Sequence, residues 1–468
     1  MLFSWYFCSM SLQTINSSDT IVALATSPGA QGAIAVIRVS GPEAILLVNK
    51  VFKGKDLTQE KSHTLHFGTI RNDQEIIDEV LVSLFVAPNS YTKENSVEIS
   101  THNSAYIIQR VIQLLISKGA RAARPGEFTL RAFLNGSMDL TQAEAVADLI
   151  ASNSGASHRV AMQQMRGGFA NQLKALREDL IHFASLIELE LDFGEEDVEF
   201  ADRSQLKELI FKIQKVIRQL ITSFEQGNAL KNGVPVVIAG KPNVGKSTLL
   251  NALLNEERAI VSDIAGTTRD TIEDELNIHG VRFRFIDTAG IRETADIIEA
   301  KGVERTLAKM KEAREIIYLF DPTQDDIQDM ESQLQELKSL EIPFILVVNK
   351  SDLLSGDVRE SLEAFSAVFI SAKFKKGIEE LKDALLEKVN LLNLEEDDVM
   401  VTNIRHVESL NLTQESLERA ISALDDTITS DFLALDIRQA LHHLGEITGE
   451  VSTDDLLDNI FSKFCIGK

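Results

Sequence analysis

Apolar positions divide the chain into segments of different period. Up to about residue 140, short β-like runs alternate with helical ones. Residues 20–25, 32–39 and 79–86 read as strands. Residues 106–118 read as an amphipathic helix, apolar at 107, 108, 111, 112, 115 and 116. From Leu140 the helical period takes over, through 141–191 and 205–224, broken by an acidic stretch at 192–202. Near Val234 the pattern changes again. Short apolar runs at 234–239, 282–287, 315–321, 344–349 and 367–371 alternate with helical segments, as in a parallel sheet covered on both faces. After Leu392 the chain reads as helical to its end.

The simplest architecture is multidomain, α/β and α. An N-terminal α+β domain at 19–138 precedes a helical domain in two parts, 139–232 and 392–468. A P-loop α/β domain at 233–391 is inserted between those parts. Residues 1–18, apolar and aromatic at first, read as a disordered extension or an over-called start.

Composition narrows the partners. The 468 residues carry a net charge of −24, which argues against coating nucleic acid through bulk electrostatics. Block by block, residues 1–140 are neutral and residues 391–468 carry −11. Two cysteines, Cys8 and Cys465, cannot staple a scaffold, so a reduced cytoplasmic setting is expected. No run reaches the roughly 18 apolar residues of a membrane helix.

The strongest chemical signal is the stretch from Gly240 through Gly245, Lys246 and Ser247, the pattern G-x(4)-G-K-[ST] between a strand and a helix. Its glycines let backbone N–H groups surround phosphate oxygens, Lys246 supplies a cation, and the Ser247 hydroxyl suits Mg2+. Asp287-Thr-Ala-Gly290 follows the next strand, and Asp263–Asp270 holds threonines able to complete a Mg2+ shell. Asn349-Lys-Ser-Asp352 and Ser371-Ala-Lys373 end later strands. A carboxylate at Asp352 accepts both N–H groups of guanine, and adenine has no such donor pair, so the nucleotide is GTP. Each tetrapeptide alone could be an ordinary turn; their order at strand ends makes the set specific. The expected contacts are Asn243, Val244, Gly245, Lys246, Ser247 and Thr248, then Ser262, Asp263, Ile264, Ala265, Gly266, Thr267 and Thr268. Asp287, Thr288, Ala289, Gly290, Asn349, Lys350, Asp352, Ser371, Ala372 and Lys373 complete them. Ile291 stands where many switch GTPases carry a water-orienting glutamine. Catalysis must use another group: Arg269 as a finger, Asn243, or a carboxylate from 292–299.

With these motifs in place, the chain after about Asp19 resembles the tRNA uridine-modification GTPases of the MnmE (TrmE) family. Separate segments carry the resemblance: Asp19–Thr26, Ile37–Gly41, Ala87–Thr92, Ala123–Phe128, Arg131–Asn135, Asp139–Ala145, and the terminal Phe464-Cys-Ile-Gly-Lys468. The resemblance implies an enzyme that hydrolyses GTP. With a flavin-dependent MnmG-type partner carrying FAD, it would add an aminomethyl or carboxymethylaminomethyl group to C5 of the wobble uridine of certain tRNAs. It implies a homodimer formed by the N-terminal domain, a heterotetramer with the partner, and tRNA held jointly with it; the acidic balance itself calls for a basic partner or a local patch such as 121–131 to hold the tRNA. It places a tetrahydrofolate derivative (5-formyl or 5,10-methylene) at Arg38, Glu98, Ser137 and Lys468, where Ser137 replaces a usual lysine. It places K+ on Asn243, Ser262, Ile264 and Thr267, Mg2+ on Ser247 and Thr268, and catalytic roles on Glu299, Lys246 and Cys465. His102-Asn103-Ser104 departs from the family's usual His-Gly-Gly. The competing function is a GTP-gated ribosome-assembly factor with no modification chemistry. Such factors usually add a basic RNA-binding module, which the acidic C-terminal segment is not.

Overall fold

The computed structural model describes residues 19–27, 32–192, 202–255, 274–286, 313–339, 342–389, 400–425 and 430–467. The strands in chain order are β1 (Ile21–Leu24), β2 (Ile34–Ser40), β3 (Phe52–Lys53), β4 (Thr64–Asn72), β5 (Glu75–Phe85), β6 (Ser96–His102), β7 (Arg121–Ala122), β8 (Val234–Ala239), β9 (Asp274–Ile278), β10 (Val281–Phe285), β11 (Glu315–Phe320), β12 (Phe344–Val348) and β13 (Val368–Phe369). The helices are α1 (Ala44–Val51), α2 (Ala105–Ser117), α3 (Glu127–Leu134), α4 (Leu140–Ala151), α5 (Gly155–Met165), α6 (Gly168–Asp192), α7 (Arg203–Asn232), α8 (Lys246–Asn255), α9 (Ile327–Ser339), α10 (Gly356–Glu363), α11 (Ile378–Val389), α12 (Ile404–Asp425), α13 (Ser430–Thr448) and α14 (Asp454–Phe461). They divide into two compact units: 1–147, 164–211 and 412–468 form one, and 148–163 with 212–411 the other.

In the first unit the strands pair in the order β3-β4-β5-β6-β2-β1-β7. Every pair is antiparallel except β1 with β7. Alternation along each strand sends one set of side chains to a core with α1 and α2. There Ile37, Val39, Val82, Leu84 and Ile99 meet Leu47, Val48 and Leu115. The opposite set is different. Ile21 and Ala23 lie buried with Phe128 of α3, while Arg38 and Glu98 sit directly opposite each other in the β2–β6 ladder. β4 reverses the usual pattern: His66 is buried, and Leu65 and Phe67 are 59% and 68% exposed. The long α6 packs on α13, with Leu173, Leu176, Leu180 and Ile187 of α6 buried at helical spacing. The C-terminal α14 lays Leu457 and Phe461 on Leu130, Leu140 and Ala143.

In the second unit the order is β13-β12-β11-β8-β10-β9, parallel apart from the edge hairpin β9–β10. β8, β11 and β12 are continuous apolar runs because both faces are covered. One face packs α8 and α11 through Leu249, Leu253, Leu381 and Leu385; the other packs α9 through Met330, Leu334 and Leu337. The chain leaves β8 for β9 and β10 on one side and returns to β11 on the other. The carboxyl end of β8 is therefore the switch point where such sheets bind ligands.

Candidate functional site

The loop after β8 has the conformation its sequence demands. Gly240, Asn243 and Gly245 all have positive φ, at 143°, 65° and 102°. A Cβ on Gly245 would collide with the Asn349 side-chain amide, so this position takes glycine alone. Val244 is buried and anchors the loop, whereas Asn243 and Thr248 are exposed. The Lys246 Nζ donates to the Gly240 carbonyl at 2.7 Å and the Lys241 carbonyl at 2.9 Å, arching back over the loop. Burial pushes its ammonium down from the ordinary lysine range. An anion beside it, such as a phosphate group, would offset that penalty. Ser247 follows on the first turn of α8.

The two segments expected to recognise the base are tied to this loop through one side chain. Asn349, 3% exposed at the end of β12, donates from Nδ2 to the Val244 carbonyl at 2.8 Å. Its Oδ1 accepts the Ala372 N–H at 3.1 Å. Asp352 is exposed, and Ser371 Oγ donates to its Oδ1 at 2.5 Å, which orients the carboxylate. Lys350 has a positive φ of 58° and pairs through Nζ with Asp321, 2.5 Å away. Burial raises the Asp321 carboxyl, but Lys350 and the Thr323 hydroxyl outweigh it and hold the group below the usual carboxylate range. Lys373 is exposed, its ammonium over the Phe374 ring. Thus Val244, Asn349, Asp352, Ser371 and Ala372 are brought together with no ligand needed to hold them. Ser262, Asp263, Ile264, Ala265, Gly266, Thr267, Thr268, Asp287, Thr288, Ala289, Gly290 and Glu299, with Arg269 and Ile291, lie outside the described residues.

In the first unit, Arg38 and Glu98 form the pair that their register sets up, Nη2 to Oε1 at 2.8 Å. The Arg38 guanidinium also lies 5.5 Å from the Tyr91 ring and 5.7 Å from the Phe128 ring. Tyr91 is fixed by a 2.9 Å hydrogen bond to Thr129 of α3. Burial raises the Tyr91 hydroxyl's pKa, opposed by that bond and by Arg38. Tyr91 and Phe128 fall inside sequence segments that resembled the family, but nothing in their spacing marks them as partners of Arg38.

Beneath this pair runs a buried ionic network. Arg131, 2% exposed, bonds Asp19, Glu94 and Glu127, and Arg121 pairs with Asp19 at 2.7 Å and Glu127 at 2.5 Å. Burial pushes the Asp19 and Glu127 carboxyls up. Hydrogen bonds and charge from the two arginines outweigh it and hold both below the usual range. The same pairing raises Arg121 further above its ordinary value. This network fixes α3 against the start of β1.

The C-terminal residues come to the same sheet. The Cys465 carbonyl accepts the Gly126 N–H at 3.3 Å, and Ile466 bridges to Pro125. Gly467 (φ 96°) lies so close to the Leu24 carbonyl that a Cβ would collide with it. Leu24 follows Ala23, the residue registered opposite Arg38. Cys465 is an exposed free thiol; Lys468 lies outside the described residues. Ser137 is exposed, and the Lys93 Nζ donates to the neighbouring Gly136 carbonyl at 2.5 Å, so a cation does stand beside that position. Lys93 went unnoticed in the sequence because it is 44 positions from Ser137. In the departing loop, Asn103 donates from its backbone to Ala33 O at 2.9 Å and from its side chain to Gly32 O at 2.8 Å.

Comparison with known proteins gives the family. The family described as "GTP-binding protein TrmE N-terminus" matches residues 20–137, and "MnmE helical domain" matches 140–465. A relative from Cytophaga hutchinsonii named tRNA modification GTPase MnmE is 58% identical over 461 residues, covering 98% of this chain and all of its own length. One of the same name from Flavobacterium johnsoniae is 57% identical over 465 residues, covering 97% of this chain and all of itself. Among solved structures, the FeoB G-domain from Methanococcus jannaschii covers 34% of this chain and 97% of itself at 24% identity. Its TM-score, 0.25, is too low to bear on the fold. With a P-loop sheet, a TrmE-type N-terminal unit, and relatives above half identity along nearly their whole length, this chain belongs to the MnmE family of tRNA modification GTPases.

Proposed function

We propose that the chain couples GTP hydrolysis to the addition of an aminomethyl or carboxymethylaminomethyl group at C5 of the tRNA wobble uridine. It does so in the cytoplasm, with a flavin-dependent MnmG-type partner that carries FAD. The observation that carries this reading is the seat of the C-terminal residues. Gly467 packs against Leu24, next to Ala23, which is registered opposite Arg38, so residues from both ends of the sequence meet on one sheet, which a simple GTP switch would not need. Arg38 paired with Glu98 suits the polar head of a tetrahydrofolate derivative, and Lys93 beside Ser137 suits its anionic tail. A bound folate would supply the one-carbon unit. Ser247 and Thr268 are the Mg2+ positions in this reading. Asn243, exposed on the P-loop, would share K+ with Ser262, Ile264 and Thr267.

Association as a homodimer is supported by the open face of the N-terminal sheet. Phe67 and Leu81 are direct cross-strand neighbours there and 68% and 41% exposed, with Ile34 at 66%. We assign 19–138 to folate binding and dimerisation, 233–391 to the GTPase and the two flanking segments to the helical domain. Two measurements test the reading with the full chain. Hydrolysis is expected to be fast in K+ and slow in Na+, and equal rates would return Arg269 to the role of an ordinary finger. Equilibrium dialysis is expected to retain labelled folate on the parent and not on Arg38→Ala; no retention by the parent would remove the pocket assignment.

A further inference from the structure

At the amino-terminal end of β8, the end away from the P-loop, lies a cavity of about 650 Å3. It is lined by the last turns of α7, the start of β8, and Arg282, Arg284 and Arg314. The six residues of β8 separate the two ends by about 20 Å at ~3.3 Å per residue. The three guanidinium groups converge for a structural reason. Arg282 and Arg284 are two apart on β10, so they share one face, while Val281, Phe283 and Phe285 fill the core on the other. Their stems cross Gly233, where a Cβ would come within 3.1 Å of the Arg284 Cγ and 3.2 Å of the Arg282 Cγ. Arg314 reaches in from the residue before β11 and donates to the Glu225 backbone carbonyl, leaving the Glu225 carboxylate unused by it. Glu275 pairs with one terminal nitrogen of Arg282. The Arg282 Nε is buried and has no acceptor among the described residues. Asn228 and Asn232 add amides at the rim, and Phe224 a ring.

Three arginines thus line a concave site together with two glutamates, in a chain whose net charge is −24. Arginine rather than lysine at all three positions favours planar, bidentate recognition of phosphate. We propose that this cavity is a phosphate-binding site that takes the phosphodiester backbone of the RNA substrate. The proposal rests on the tRNA-modification reading above and locates on this chain a foothold for RNA that its overall charge would not provide. A free phosphate compound offers the same chemistry, so the test separates the two.

The experiment measures binding of fluorescently labelled tRNA to the full chain by anisotropy across a salt series, with inorganic pyrophosphate as the small-anion probe. Arg282→Gln with Arg284→Gln is expected to weaken tRNA binding by about tenfold or more. The slope of log affinity against log salt should fall by about 0.7–0.9 for each phosphate that the variant no longer neutralises. GTP hydrolysis without tRNA should stay at the parent rate. Lysine at both positions should restore most of the salt slope but only part of the affinity. Glu275→Gln, which removes a competing carboxylate, should tighten binding, a gain that misfolding cannot mimic. Parent affinity and slope in the double glutamine variant would overturn the proposal. So would pyrophosphate binding that depends on these arginines while tRNA binding does not, which would leave a small-anion site only. If the parent itself bound no tRNA, alone or with its partner, the tRNA reading would fail first.

Discussion

Replacing Asn349 with alanine should separate the phosphate loop from the base-recognition segment. The side chain makes two buried bonds to backbone, to Val244 O at 2.8 Å and from Ala372 N at 3.1 Å. Alanine orphans both groups, at about 1–3 kcal/mol each. Water can enter beside the exposed Asn243, so the lower half of the combined range applies, about 2–4 kcal/mol. Part of that appears as lost stability of the second unit. The remainder falls on nucleotide binding, because the ligand needs both segments in place at once. If about half of the total, roughly 1–2 kcal/mol, falls on binding, then at about 1.4 kcal/mol per tenfold GDP and GTP affinity should fall by about 5- to 30-fold. Gly245→Ala pushes a Cβ into the same amide and should act in the same direction. The double variant should lose less than the sum, because removing the Asn349 side chain relieves that clash. Calorimetric titration with GDP and GTP, alongside thermal melts, reads both parts. Affinity within threefold of the parent, or strict additivity with Gly245→Ala, would refute the coupling.

Asp352→Asn should weaken GTP and admit xanthosine nucleotides, since an amide suits a C2 carbonyl; unchanged GTP affinity would refute the base assignment. Glu315, 1% exposed with neither oxygen hydrogen-bonded among the described residues, has its pKa raised by burial to about 8, with Lys388 opposing, from 4.5 in the unfolded chain. Between those values the folded state holds a proton that the unfolded state has lost. Stability should therefore fall as pH rises from 4.5 to 8 and level off above, by at most about 5 kcal/mol. Glu315→Gln should flatten that slope and be the more stable protein at pH 8 in urea titrations. Glu127→Gln should cost about 1–3 kcal/mol near neutral pH, because it removes the most buried of the carboxylates that Arg121 and Arg131 share while Asp19 and Glu94 remain. Glu127 is held below its ordinary 4.5, so its contribution is present above 4.5 and lost as pH falls through the depressed value. Thermal melts of variant and parent should therefore converge in acid.

Much of the second unit is legible in the sequence, because a sheet covered on both faces imposes unbroken apolar runs. The strands expected at 234–239, 315–321 and 344–349 appear as β8, β11 and β12 with ends shifted by at most one residue. The edge strand β9 is not legible: Asp274-Glu-Leu-Asn-Ile278 has too few apolar residues to separate it from a loop. In the first unit, β4 escapes because its period is inverted, with Leu65 and Phe67 outward and His66 and Gly68 inward. The helix expected at 205–224 runs on to Asn232, since Leu230 and Ala229 add buried positions past the polar Glu225–Asn228 stretch. Motif residues such as Lys246, Asn349 and Asp352 are readable because phosphate and guanine fix which groups can bind them. The interactions that assemble the pockets are not readable. Nothing local tells that Lys93 reaches Gly136, that Tyr91 and Phe128 cradle Arg38, or that Asn349 spans two loops. Each depends on tertiary neighbours tens of positions or more away.

The central claim is that this GTPase acts on tRNA wobble uridine. Mass spectrometry of nucleosides from tRNA of a strain lacking the gene tests it most directly. The strain should lack the C5-substituted wobble uridines. The parent chain should restore them, and chains carrying Asp352→Asn or Arg38→Ala should restore little or none. Wild-type levels of those nucleosides in the deletion strain would contradict the claim.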